Sequence, residues 1–145
     1  MKVSLKGVLI GGIVDVVSSS LMGVPLAVYA LSKVDVAHTP KEQLGPAIVA
    51  VSHGTPWLYG MQLLVGLACS VFSGYVAARL AKHDELLNGT LSAFLCVAIG
   101  IYSIASGKDS NAHWVQILML ISDPVCGFLG GYLRLRQRSV QTLAV

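Results

Sequence analysis

Four long apolar runs separated by short polar ones set the pattern of this chain. Apolar residues fill positions 7–31, 57–81, 86–106 and 114–133 with few interruptions. A helix that crosses the hydrocarbon core of a bilayer needs about 20 such residues. All four runs reach that length, with ends soft by a few residues because a helix can tilt. Barrel strands would alternate over about ten residues, and these runs do not, which leaves helices to satisfy the backbone in lipid. The pattern predicts an all-α fold, a four-transmembrane-helix bundle, as a single integral membrane domain over residues 1–145. The connection at 32–56 is the one long linker. It holds Pro40, Pro46 and Pro56. Its apolar stretch at 44–52 is broken by Gly45-Pro46; it is too short to span and suited to lie at the interface or against the bundle.

Composition supports lipid as the main solvent and the bilayer as the first partner. The chain is 54% hydrophobic and only 12% charged, with a mean hydropathy of +0.72, where soluble domains carry about 25% charged residues. The net charge of +3 is mostly an asymmetry along the chain and gives no sign of nucleic-acid binding. Lys2, Lys6, Arg79, Lys82, Arg134, Arg136 and Arg138 fall at one side of the spans; Lys33, Lys41 and Lys108 fall at the other. That bias orients both termini toward the cytoplasm of a bacterial inner membrane. The C-terminal Arg134-Leu135-Arg136-Gln137-Arg138 reads first as a topology anchor, and second as a contact for anionic headgroups. Trp57, Trp114, Tyr75 and Tyr132 stand near span ends, where an aromatic belt belongs. Lys2, Lys6 and Val28-Tyr29-Ala30 imitate a leader with a cleavage site. The run is long for a leader and Asp15 interrupts it, so the first span is expected to be retained.

The second and fourth spans end alike. Cys69-Ser-Val-Phe-Ser-Gly74-Tyr75-Val-Ala-Ala-Arg79 aligns without gaps on Cys126-Gly-Phe-Leu-Gly-Gly131-Tyr132-Leu-Arg-Leu-Arg136. Both helices run the same way, so the likeness suggests two parallel helical-hairpin repeats. Small residues recur at i, i+4 on three spans: Gly7, Gly11, Asp15, Ser19 and Gly23; Gly66, Ser70 and Gly74; Asp123, Gly127 and Gly131. Such stripes let helices approach closely in lipid. They predict packing faces toward neighbouring helices, a second copy or a membrane partner subunit.

Two carboxyls lie on these stripes. Asp15 is about 12 Å from the inner end of its span and Asp123 about 15 Å from the inner end of its own, at 1.5 Å per residue. Both fall near the midplane, where an ionised Asp costs about 2.5–3.5 kcal/mol on insertion scales. No Lys, Arg or His stands at that depth in any span, and desolvation favours the neutral acid. If the two meet, they share a proton and titrate as a pair. Asp123 precedes Pro124, which removes a backbone donor and should kink the helix. Gln116 lies seven residues earlier on the same face, and Ser18, Ser19 and Ser20 follow Asp15. Asp15, Asp123, Gln116 and Ser19 are the candidate proton, cation or polar intramembrane site.

Little else carries chemistry. His38, His53 and His113, with Asp35, Glu42 and Asp109, gather on the outer side without the spacing of a zinc site, and are expected to be solvated. Cys69, Cys96 and Cys126 all lie in spans and read as small packing residues. Asn88-Gly89-Thr90 matches a glycosylation sequon but falls at the cytoplasmic end of a span. No nucleophile elbow, metalloprotease helix, P-loop or dinucleotide-binding glycine pattern is present, so neither enzymatic activity nor a cofactor is expected.

The segment from Gly74-Tyr75-Val-Ala-Ala-Arg79 through Leu-Ala-Lys-His-Asp-Glu-Leu-Leu to Asn88-Gly89 resembles the second-to-third-span junction of a family of small four-span bacterial membrane proteins. The resemblance implies a four-helix integral membrane protein. That family has no established function, and no site residue is carried over from it. Four spans with an acid in the first also resemble small multidrug-resistance transporters. This chain departs from those in its long 32–56 connection, its second acid in the fourth span, and an Asp where they carry a Glu. The expectation is a non-catalytic accessory or scaffold subunit, oligomeric or partnered through its small-residue faces. The alternative is a small proton- or cation-coupled transporter or channel using Asp15 and Asp123.

Overall fold

The computed structural model describes residues 2–107, 111 and 113–143; Lys108 and Asp109 lie outside them. The regular elements are all helices: α1 (Leu5–Leu31), α2 (Lys41–Gly54), α3 (Pro56–Ala81), α4 (Glu85–Ser92), α5 (Phe94–Ala105) and α6 (His113–Leu143). Four stretches are long and apolar enough to cross a membrane: Leu5–Leu31, Pro56–Ala81, Glu85–Ala105 and His113–Val140. They coincide with the four apolar runs, and the chain is an all-α, four-helix, multi-pass membrane protein. Its helices are polar inward and apolar outward. On α1, Leu5, Leu9, Ile13, Val17 and Leu21 form an exposed i, i+4 stripe, while Gly7, Gly11 and Asp15 on another face are buried. Water would penalise such an outer surface; hydrocarbon does not.

Two elements differ from expectation. Most of the 32–56 connection is helix: α2 takes up 14 residues and carries Pro46 inside it. Proline costs that helix one intrahelical bond, yet residues on both sides stay helical. The third span is not one helix. It breaks at Ala93, whose N–H bonds Thr90 O at 3.3 Å, a tighter 3₁₀ turn. In an unbroken α-helix that N–H would reach Gly89 O, but the Ser92 hydroxyl donates to Gly89 O at 2.7 Å. A serine bonding back to the backbone in this way competes with the helix and bends it. By contrast, α6 remains one 31-residue helix through Pro124.

The chain divides into two compact units, Met1–Ser18 with Leu67–Val145, and Ser19–Gly66. The first is held by backbone approach at glycine. A Cβ on Gly11 would stand 2.7 Å from Ala77 Cβ and 2.8 Å from Ser92 Cβ; one on Gly7 would stand 3.0 Å from Ala77 O. Gly74 faces the backbone of Gly127 across α3 and α6, and a Cβ on Gly131 would stand 2.6 Å from Glu85 O across α6 and α4. Here α1 touches α3 and the third span, and α6 touches α3 and α4. The aligned Gly74 and Gly131 are alike in burial and unlike in neighbours. Gly66 is a correction to the packing stripe, since among the described residues no atom lies within 4 Å of a Cβ placed there. A small residue creates a helix contact only where another backbone lies opposite.

The sequence reading missed Gly12, Gly89 and Gly130. A Cβ on Gly130 would run into Val71 O and Tyr75 N, one on Gly89 would stand 2.7 Å from Gly127 O, and one on Gly12 would stand 3.0 Å from Leu95 Cβ. Asn88 opens the sequon-like Asn88-Gly89-Thr90, yet it is fully buried. Its Oδ1 accepts Ser4 N–H at 2.7 Å, and its Nδ2 faces Lys2 O, His83 O and Asp84 O at 3.2, 3.0 and 3.0 Å. It satisfies an N–H just before α1, which no helix carbonyl reaches.

In the second unit, Tyr29 meets Trp57 edge-on at 5.4 Å and Lys33 stands over Tyr29 at 5.5 Å. Gln62 donates to the buried Ser52 of α2 at 3.4 Å.

Candidate functional site

The buried polar atoms of the first unit converge where four helices meet. Asp15 comes from α1, Ser70 from α3, Cys96 from α5 and Asp123 from α6. Ser70 Oγ lies 3.3 Å from Asp15 Oδ1 and 3.4 Å from Asp123 Oδ1. Cys96 Sγ lies 3.4 Å from Asp15 Oδ2. Asp15 is 2% exposed and Ser70 is 5% exposed; Asp123 is half-buried. Ser18 Oγ also donates to Asp15 O at 3.2 Å. One turn along α3, the fully buried Ser73 donates to Gly11 O at 2.9 Å and lies 3.4 Å from Ser92 Oγ. Together these groups make a polar seam inside an apolar bundle.

Hydrogen counting constrains this seam. A serine hydroxyl has one proton to donate and lone pairs to accept with. Ser70 therefore donates to only one of its two carboxyls at a time. The other contact is a hydrogen bond only when that carboxyl is protonated and donates to Ser70 Oγ. Both oxygens of Asp15 face donors, Ser70 and Cys96, which suits Asp15 as the acceptor and Asp123 as the acid. Reversing the Ser70 hydroxyl while a proton passes along it exchanges the two roles. The contacts are longer than the 2.7–2.8 Å at which O–H···O bonds cluster. Among the described residues, neither carboxyl has a basic partner. Two adjacent anions would be costly here, since like charges disfavour joint ionisation.

The other expected site residues stand elsewhere. Gln116 does not join the carboxyls. Its Nε2 donates to Asn111 O at 2.8 Å and its Oε1 faces His113 Nδ1 at 3.3 Å, so it serves the start of α6. Seven residues of helix, about 10 Å, separate it from Asp123 along the axis. Ser19 is one turn beyond Asp15 on α1, half-buried, and belongs to the second unit. Ser70, expected only on a packing stripe, and Cys96 and Ser73 are seam residues that the sequence does not assign to the site; their one sequence signal is a polar or polarisable group among small residues within a span. The histidines are dispersed: His38 bonds Asp35 at 2.8 Å and His53 stacks edge-on to Tyr59 at 4.9 Å. Among the described residues no three His, Cys, Asp or Glu side chains are grouped to hold a metal.

No family model matches this chain, and no match was found among curated proteins or solved structures. Function rests on the geometry of the seam.

Proposed function

We propose that this is a small proton- or cation-coupled membrane transporter or channel whose working site is the Asp15–Ser70–Asp123 relay. The observation that carries the reading is the single Ser70 hydroxyl within reach of both carboxyls. A carboxyl pair sharing one proton can release and recapture it as either side of the bundle becomes accessible. Intramembrane acids mark proton and ion pathways. The proposed setting is a bacterial inner membrane with both termini cytoplasmic, following the Lys/Arg bias. Reconstitution in proteoliposomes loaded with a pH-sensitive dye tests the role. The wild type should carry protons after an external acid pulse, and Asp15→Asn, Asp123→Asn and Ser70→Ala should each slow the flux at least tenfold. If the wild type is no faster than empty vesicles, or the variants match it, the transport reading fails.

A second reading is an accessory subunit in which the pair locks helix register. The enclosure of Asp15, 2% exposed, favours it. Against it, Gly7, Gly11, Gly74, Gly127 and Gly131 spend their open faces on helices of this same chain, leaving less for a partner subunit or second copy to grip. Under this reading the Asp variants lose thermal stability and leave flux unchanged.

A further inference from the structure

The Lys/Arg-rich end of the first unit has two adjoining clefts that neither reading uses. One, of about 320 Å³, is lined by Arg79, Lys82, Glu85, Arg134 and Arg138. Four cations face one carboxylate there. Glu85, with its side chain 7% exposed, is already paired: Arg138 Nη1 donates to Glu85 Oε1 at 2.7 Å and to Lys82 O at 3.1 Å. That leaves an excess of positive charge in the cleft, at the ends of the spans Pro56–Ala81 and His113–Val140. The second cleft, of about 520 Å³, runs between α4 and α6 and is lined by Leu86, Leu87, Thr90, Phe128 and Leu135, with Asp84 and Glu85 at its polar end; Asp84 Oδ2 accepts the Lys2 N–H at 2.6 Å. Glu85 lines both, so the basic cleft opens beside an apolar groove. Phe128 and Leu135 are exposed along that groove, on the surface that faces lipid.

We propose that this end binds one anionic glycerophospholipid, its phosphate among Arg79, Lys82, Arg134 and Arg138 and an acyl chain along the α4–α6 groove. A cationic cleft joined to an apolar channel complements a molecule with an anionic head and a hydrocarbon tail, and basic pockets between membrane helices are known hosts for such heads. Arginine suits phosphate through its planar fork of donors. A soluble anion would use the first cleft and have no need of the second.

The test is native mass spectrometry of the protein in detergent micelles, titrated with dioleoyl phosphatidylglycerol or dioleoyl phosphatidylcholine. Phosphatidylglycerol should bind at least tenfold more tightly. Lys82→Gln and Arg134→Gln each leave the Glu85–Arg138 pair intact. Each should weaken phosphatidylglycerol binding about fivefold, and both together about thirtyfold, at about 1 kcal/mol per basic group. Arg136→Gln, a cation of the same helix outside the cleft, should change it less than twofold. Equal binding of the two lipids, an equal loss in Arg136→Gln, or an unaffected double variant would overturn the site. Displacement of the lipid by millimolar inorganic phosphate would assign the cleft to a soluble anion and overturn it too.

Discussion

Asn88 shows how a polar side chain can hold a membrane fold together. It satisfies an N–H before α1 and faces three carbonyls, Lys2 O before α1 and His83 O and Asp84 O in the α3–α4 turn. Asn88→Leu keeps the volume close and strands those groups. The expected cost is about 1–3 kcal/mol, seen as a lower unfolding temperature in detergent and faster amide exchange at Ser4. Glycines make the complementary case. A Cβ on Gly130 runs into Val71 O and Tyr75 N, backbone atoms that cannot swing aside, whereas Gly66 opens on empty space. Gly130→Ala should therefore destabilise by about 1–3 kcal/mol through overpacking, while Gly66→Ala should be neutral or gain up to about 1 kcal/mol of helix propensity. Equal effects from the two substitutions, measured by thermal unfolding, would contradict this packing. The sequence places Gly66 on a small-residue stripe and leaves Gly130 off one, the reverse of their packing, because the separation lies in what stands opposite.

The helices themselves were legible, since hydrocarbon selects length and apolarity and both are written in the chain. The break at Ala93 was not, because no proline marks it. It comes from a competition for Gly89 O between the Ser92 hydroxyl and the Ala93 N–H. Ser92→Ala removes the competitor. The expected result is a straighter third span with slower amide exchange at Ala93, at less than about 1 kcal/mol in stability because the substitution is nearly isosteric. Unchanged exchange there would mean that packing against α6, not the serine, sets the break. The helix α2 was hidden for another reason. Gly45-Pro46 reads as a breaker, yet residues 47–54 continue the helix after it. Asp15 and Asp123 were both recognisable as expensive intramembrane acids. Their meeting on Ser70 was not, because the order of helices around a bundle leaves no local trace.

For the whole chain, the testable quantity is sidedness. In the proposed orientation four crossings put both termini on one side, and the Lys/Arg bias, seven against three, predicts that this side is the cytoplasm. A green fluorescent protein fused after Val145 should fluoresce, and alkaline phosphatase at the same point should stay inactive. Phosphatase placed in the connection before α2 should be active. The bias can also be titrated. Lys6→Gln, Arg134→Gln and Arg136→Gln together leave four basic residues on the terminal side against three on the other, while preserving the Arg138–Glu85 pair at 2.7 Å. Orientation follows the difference in Lys/Arg near the span ends and not the net charge of the chain, so this variant should insert in both directions, with phosphatase activity appearing at the C-terminus. Active phosphatase at the C-terminus of the wild type would reverse the assignment. It would place the Arg79–Arg134 cleft on the opposite leaflet and leave the geometry of the carboxyl relay untouched, because Asp15 and Asp123 both sit near the middle of their spans.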